Sequence, residues 1–288
     1  MKILVFIPSY NDTKTAFHTA EQFLVEKKVS KILLVDDSDD PKCVEFAQQI
    51  RNEKIEVVSR ARSGKWSAWK LALKQAKDYD GLIEIDSDVE IEDPALVIST
   101  IENHDVVTAY QEIVLPDNPL GRAVGSAYQK MHQELKTTGK FNMGGQIIGL
   151  SNKAVSTLSR YEFFEEPVLA DDHVVCLAGK VLGLNCITID CGLQIGIPST
   201  ISDWISYRSR HRGAINWAER YVASKTGKTE QTADISREDY AFAMQYYIRN
   251  MLRSLKLGGL PLLLLFAVAS ILPLENQTEW SRLKSEKH

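Results

Sequence analysis

Four short, largely apolar runs, residues 3–7, 32–35, 55–58 and 82–85, punctuate the start of the chain, and three of them run straight into a polar or acidic cluster. Each run is too short for a helix and is bounded by turn-forming residues, so each reads as a strand. Between them, residues 13–28, 41–52 and 65–77 carry helical patterns, the second with Pro41 in its first turn. Apolar strands separated by helices are covered on both faces, which predicts an α/β fold with a mostly parallel central sheet and helices on either side. Ligands of such sheets collect at the carboxyl ends of the strands, where the polar clusters lie.

Beyond residue 105 the alternation loosens. Strands are expected at 106–110 and 146–150 around a helix at 122–136, followed by a helix at 171–178 and a short strand at 187–189. Two long amphipathic helices follow, at 204–223 and 237–256, with Ser236 and Asp239 placed as a capping box for the second. The simplest division is a catalytic domain over residues 1–223 and a C-terminal appendage over 224–288.

Composition narrows the class. With 288 residues, 44% hydrophobic and 25% charged, the chain can bury a sizeable core, which excludes a disordered or disulfide-scaffold protein. A net charge of -4 argues against a dedicated nucleic-acid binder. Cys43, Cys176, Cys186 and Cys191 form no C-x-x-C pair and have no histidine at zinc spacing, so reduced thiols in a cytosolic setting are expected. The apolar N-terminal run is too short for a signal-peptide core.

The chemistry-bearing sets are Pro8-Ser9-Tyr10-Asn11, residues 36–40 (DDSDD), Asp86-Ser87-Asp88, and the pair Asp171-Asp172 at the start of a helix. Any one of them alone reads as a strand terminator or helix cap. Together they gather carboxylates at one sheet edge. Asp86 and Asp88, two apart at a strand end, can project to one side of the crevice. Such hard oxygen donors suit Mg2+ or Mn2+, ions that also bind substrate phosphates.

The segments FIPSYND (6–12), LVDDSDD (34–40), RSGKWSAWKLAL (62–73), EIDSDVEI (84–91) and LADDHVV (169–175), in that order, resemble the family 2 glycosyltransferases. The resemblance spans residues 3–215. It implies a GT-A fold, a nucleotide-diphosphate-sugar donor (a UDP- or GDP-hexose), Mn2+ or Mg2+ as cofactor, and inversion at the anomeric carbon. On the same footing, Pro8 and Tyr10 match the lining of the nucleoside, and Asp37 the acid that binds the base. Arg62, Gly64 and Lys65 match the segment beside the nucleotide. Asp88 matches the metal acid, with Asp86 towards ribose and metal, and Asp172 matches the general base. Asp171 stands where the family carries a glutamate, one methylene longer. In YRSRHRG (207–213), Arg208, Arg210 and Arg212 match a region that touches acceptor or diphosphate, although Gly213 replaces the family's tryptophan and Trp217 follows four residues later.

Bland alternatives stand beside these roles. Lys65 either meets phosphate or is a solvated first-turn lysine, and Asp172 is either a base or an acid favouring its helix dipole. The basic cluster is either a phosphate clamp or a solvated helix face near a membrane.

Residues 257–274, LGGLPLLLLFAVASILPL, carry no charge. As one helix they would reach about 27 Å, slightly short of a bilayer core, and their glycines and prolines disfavour a straight span. A marginal span, an interfacial or re-entrant anchor and a soluble core helix compete, and membrane attachment at the cytoplasmic face is the favoured reading. It suggests a lipid-linked or saccharide acceptor, and a weaker resemblance to the ceramide glucosyltransferase group points the same way. The competing enzyme reading is a sugar-1-phosphate nucleotidyltransferase, which would need a Gly-rich, Arg-containing loop that the N-terminus lacks. A dinucleotide dehydrogenase lacks its G-x-G-x-x-G after the first strand. A non-catalytic nucleotide-sugar-binding partner is the alternative outside enzymes.

Overall fold

β1 (Ile3–Ser9), α1 (Thr13–Leu24), β2 (Val29–Asp36), α2 (Pro41–Gln49), β3 (Ile55–Ser59), α3 (Lys65–Ala76) and β4 (Gly81–Ile85) follow one another as strand–helix units. The computed structural model describes residues 1–143, 145–198 and 200–235, with the side chains of 119, 120, 123, 124, 127, 201, 202 and 204–212 outside that description. β1 lies between β2 and β4, and β3 flanks β2, all parallel. The chain thus builds outward from β1 to β3, after which α3 returns it to the far side of β1. A right-handed crossover in the reversed direction places α3 on the opposite face from α1. The switch point falls between β1 and β4, where a crevice opens at the strands' carboxyl ends.

The second half comprises β5 (Glu90–Ile91), α4 (Pro94–Ile101), β6 (Val106–Ile113), α5 (Pro119–Thr138), β7 (Ile147–Ser151), α6 (Asn152–Arg160), α7 (Asp171–Val181), β8 (Cys186–Ile195) and α8 (Ile201–Thr226). The described sheet has the order β3-β2-β1-β4-β7-β6-β8-β5. β7 is antiparallel to both β4 and β6, β6 and β8 are parallel, and β5 closes the edge antiparallel to β8. The expectation of a mostly parallel sheet is therefore corrected to a mixed one. The chain is already back at the crevice when β7 begins. β7 accordingly presents its N-terminal end there, and Gln146 O accepts from Asp86 N at 2.8 Å.

Period-two alternation divides the apolar residues between two cores. Leu4, Phe6, Leu33, Val35, Leu82 and Ile148 pack with residues of α3, α6, α7 and α8. Ile3, Val5, Ile7, Ile32, Ile83 and Ile147 pack with α1 and α4 on the other face. On β4 the alternation puts Glu84 on the α3 and α7 face, in an apolar position, and it is fully buried.

Gly81 opens β4 where no side chain fits. A Cβ there would lie 2.9 Å from Ile3 Cδ1, 3.0 Å from the Leu150 carbonyl oxygen and 3.1 Å from Ile101 Cγ2. Gly81→Ala is expected to cost about 1–3 kcal/mol through overpacking, read as a lowered midpoint of denaturant unfolding.

Several expected elements change length. The first helix stops at Leu24 instead of 28, where Glu26 N turns back to Phe23 O, and the 187–189 strand extends to the ten residues of β8. β5, α4 and α6 were not anticipated. α8 runs through the expected 223/224 boundary. The helix at 237–256, its capping box and the run at 257–274 lie outside the described residues, among which no helix is long and apolar enough to cross a membrane.

Candidate active site

β1 and β2 end in register at Ser9 and Asp36, so their following loops leave the sheet side by side. Asn11 ties them together. Its φ of 55° is left-handed, a conformation asparagine tolerates when its amide bonds locally. Asn11 Oδ1 accepts from the backbone N of Asp39 and of Asp40 at 3.0 Å each, and Nδ2 donates to Asp39 Oδ1 at 2.6 Å. Tyr10 OH donates to Asp39 Oδ2 at 3.2 Å and accepts from Arg62 Nη1 at 3.1 Å. The Arg62 guanidinium also lies 4.2 Å from the centre of the Tyr10 ring, a cation–π arrangement. Tyr10 and Arg62 are thereby gathered at one side of the crevice, while Pro8 stays within β1 opposite Val35.

Asp37 is only 6% exposed and is committed to the loop after β3. It accepts from Arg60 Nε at 2.5 Å and Nη2 at 3.3 Å, from Ser63 N at 3.1 Å and from Gly64 N at 3.0 Å. Gly64, with φ of +84°, is the turn that hands this loop to α3. Asp37 is thus placed as the organiser of the segment that carries Arg62 and Lys65. Arg60 was not singled out from sequence, although a cation directly after a strand facing an acidic cluster was a readable signal.

Lys65, the first residue of α3, does not extend into solvent. Its ammonium donates to Asp86 Oδ1 at 2.7 Å and lies 2.9 Å from Asp171 Oδ2 and 3.0 Å from Glu84 Oε1. The contact to Glu84 is an ion pair without hydrogen-bond alignment, since neither Glu84 oxygen has a hydrogen-bond partner. The reading of Lys65 as a solvated lysine is replaced by a half-buried charge hub. Burial works against its charge, but Asp171, then Asp86 and Glu84, outweigh it and hold the ammonium's pKa well above the ordinary value. Burial pushes Glu84 well above the usual carboxylate range, Lys65 offsetting only part of this, and raises Asp86 as well. One ammonium among three carboxylates leaves excess negative charge, and burial makes Glu84 the readiest of them to take up a proton as pH falls.

α7 begins at the same place. Asp171 accepts from Trp69 Nε1 at 2.7 Å through the oxygen that also faces Lys65. Asp172 accepts from Gly145 N at 3.2 Å and from His173 N at 2.7 Å. Burial, then the neighbouring Asp171 charge, push Asp172 up to about 6 against the pull of Lys65 and these two N–H groups. A carboxyl poised near neutrality can accept a proton under ordinary conditions.

Asp88 stands exposed just beyond β4, two residues from the half-buried Asp86. Among the described residues, no three His, Cys, Asp or Glu side chains are grouped as a ready-made metal site. Mg2+ and Mn2+ need no such cage when substrate phosphates complete the shell. The hard carboxylates of Asp88 and Asp86 at the crevice therefore fit that kind of ion. The backbone of Arg208, Arg210 and Arg212 lies in α8, and their side chains are outside the described residues. Trp217 packs inward, stacked on Tyr221 at 4.7 Å, whose OH accepts from Phe164 N. Glu84 and Trp69 were also missed from sequence. The first was legible as a charge interrupting the apolar residues of β4, whereas nothing in the chain pattern pointed to the partner of Trp69.

The model of glycosyl transferase family 2 matches residues 4–150. No curated protein sequence matches the chain. Among solved structures, the fold is similar to the mannosyltransferase PcManGT from Pyrobaculum calidifontis, in complex with GDP-Man and Mn2+, at TM-score 0.58 and 16% identity over 96% of this chain and 81% of that one. It is also similar to S. aureus TarS 1-349, at TM-score 0.55 and 14% identity over 88% and 74% of the two chains. A third is glucosyl-3-phosphoglycerate synthase from Mycobacterium tuberculosis, in complex with Mn2+, UDP and its product, at TM-score 0.51 and 17% identity over 78% and 80%. These likenesses establish a GT-A-like fold.

Proposed function

Because the chain belongs to glycosyl transferase family 2, we propose that it is a metal-dependent inverting hexosyltransferase using a UDP- or GDP-sugar. The observation that carries this reading is the convergence, on the single ammonium of Lys65, of the donor-side Asp86 and the α7 acid Asp171, whose neighbour is Asp172. The reaction needs stabilised negative charge on a leaving nucleoside diphosphate and a base for the acceptor hydroxyl. This crevice brings residues for both within reach of one another.

Tyr10 and Arg62 would line the nucleoside, with Asp37 holding their loop in place. Asp88 and Asp86 would hold the Mn2+ or Mg2+, and the ion when bound supplies Lewis-acid stabilisation of the departing diphosphate. Asp172 would take the proton from the attacking hydroxyl. The bound Mn2+ with GDP-Man in the archaeal mannosyltransferase, and with UDP in the mycobacterial synthase, supports this donor and metal class. A lipid-linked or saccharide acceptor, with residues 224–288 attaching the catalytic part to the cytoplasmic face of a membrane, completes the proposal. It draws on the uncharged run at 257–274.

The test is thermal protection by a panel of UDP- and GDP-sugars with Mn2+ or Mg2+. A ligand at about a hundred times its Kd adds about 2.7 kcal/mol, roughly 5–10 °C in Tm for a chain of this size. Asp88→Ala is expected to lose the metal-dependent part of that shift. If no nucleotide sugar protects the protein with either ion, the transferase reading fails; if Asp88→Ala keeps the full shift, Asp88 is not a metal ligand.

A further inference from the structure

One hydrogen-bond donor and one ammonium, both from α3, meet at a single oxygen of the residue before the proposed base. Asp171 Oδ2 receives the Trp69 indole N–H at 2.7 Å and lies 2.9 Å from the Lys65 ammonium. Lys65 and Trp69 are four residues apart, so they project from the same side of the helix. Trp69 is fully buried and cannot reorient. Its ring is stacked on Phe164 at 5.1 Å and 11°, and meets Phe6 edge-on at 5.6 Å and 71°. An indole N–H is a single donor with a single direction, so this packing aims it.

A buried tryptophan needs an acceptor, but it rarely needs a carboxylate that already holds an ammonium. The indole N–H and the ammonium together hold the Asp171 carboxylate against α3. Asp172, next in the chain, accepts from the backbone N–H groups of Gly145 and His173 among the described residues. The titratable groups bearing on Asp172 are Asp171 and Cys176 from α7 and Lys65 from α3, while Glu84 of β4 bears on Cys176 and Lys65. Holding Asp171 in place therefore sets both where Asp172 points and the charge it feels.

We propose that Trp69 is a positioning residue for the transfer reaction. Its indole N–H pins Asp171, and with it the first turn of α7, so that the carboxylate of Asp172 faces the acceptor hydroxyl. This inference rests on the reading of Asp172 as the base.

The experiment uses the full chain with the protective nucleotide sugar and metal, and follows slow donor hydrolysis, with water as acceptor. Trp69→Phe keeps an aromatic ring between Phe6 and Phe164 while removing the N–H and part of the ring volume, and Lys65 still partners Asp171. The expected result is a fall in kcat of roughly 10–100-fold, the scale of a small misplacement of a catalytic group, with KM for the donor within about twofold. Asp171→Asn keeps an acceptor for Trp69 but removes the charge that raises Asp172. The acid limb of its pH–rate profile should move to lower pH. Unchanged kcat in Trp69→Phe, or a loss of kcat accompanied by an equal rise in donor KM, overturns the positioning role. An acid limb that does not move in Asp171→Asn overturns the coupling of Asp171 to the base. Asp172→Asn, assayed alongside, separates the two levels. Full activity there removes the base assignment and this inference with it, whereas loss of activity there with a normal Trp69→Phe overturns the inference alone.

Discussion

Asp172→Asn is expected to lower kcat for transfer to a hydroxyl acceptor by about 10²–10⁴-fold, the usual contribution of a general base. The fold should survive, because the asparagine oxygen can still accept from one of the two backbone N–H groups, of Gly145 or His173, that the two carboxylate oxygens serve. Donor protection against heat should likewise be retained, since among the described residues Asp172 hydrogen-bonds to the backbone of Gly145 and His173 and not to Asp37, Arg62 or Asp86. The wild type carries a pH signature of the same group. Burial and the Asp171 charge place Asp172 at about 6, so its basic form dominates above that pH. Activity should fall as pH drops through about 6, and the residual activity of Asp172→Asn should lack that limb. An unchanged rate in the variant would remove Asp172 from the chemistry. A phosphate acceptor, already ionised, would need no base and is the one acceptor class for which the variant should remain active.

Lys65→Met should produce the largest loss of stability. It removes the counter-charge of Glu84, Asp86 and Asp171 at once, and a buried charge left without its partner costs about 3–5 kcal/mol. For a chain of this size that corresponds to roughly 6–20 °C in Tm by calorimetry. The pH dependence follows from the direction of each shift. The folded-state pKa of Lys65 is raised, so its charge contributes fully throughout the neutral range and is lost only at strongly alkaline pH. Glu84 and Asp86 are raised too, so in the folded state they take up protons more readily than in the unfolded chain as pH falls. Without the ammonium they protonate sooner still. The deficit relative to wild type should therefore be large at pH 8 and shrink at pH 5. A deficit of equal size at both would show that Lys65 acts through packing of its stem instead of charge.

Much of the donor edge was readable along the chain. Apolar runs mark β1, β2 and β4, and a polar cluster directly after such a strand has few places to go other than the carboxyl edge of the sheet. Other features depend on closure in three dimensions. Nothing local distinguishes β7 as antiparallel, because a strand buried on both faces has the same composition whichever way it runs. α4 opens with Asp93 capping Leu96 N and with Pro94 at its start, yet its run PALVISTI is apolar enough to hide any helical period. Lys65 looked like a lysine at a helix start because its three carboxylates arrive from residues 84, 86 and 171. Asp37 carried the family's base-binding position, but its capture by Arg60, Ser63 and Gly64 became visible only once β3 lay beside β2.

The reversed course of β7 has a mechanical consequence. Gly145 N reaches Asp172 and Gln146 O receives Asp86 N, so adjacent residues of one strand-leading segment touch the two acids assigned to opposite halves of the reaction. Consecutive Cα atoms are about 3.8 Å apart across a trans peptide, a distance no repacking of helices can stretch. The segment therefore fixes the spacing between the backbone of Asp86 and the carboxylate of Asp172, the two acids proposed for donor and acceptor. Substitutions that loosen α7 or α8 can tilt the walls of the crevice, but these two anchor points stay one peptide unit apart.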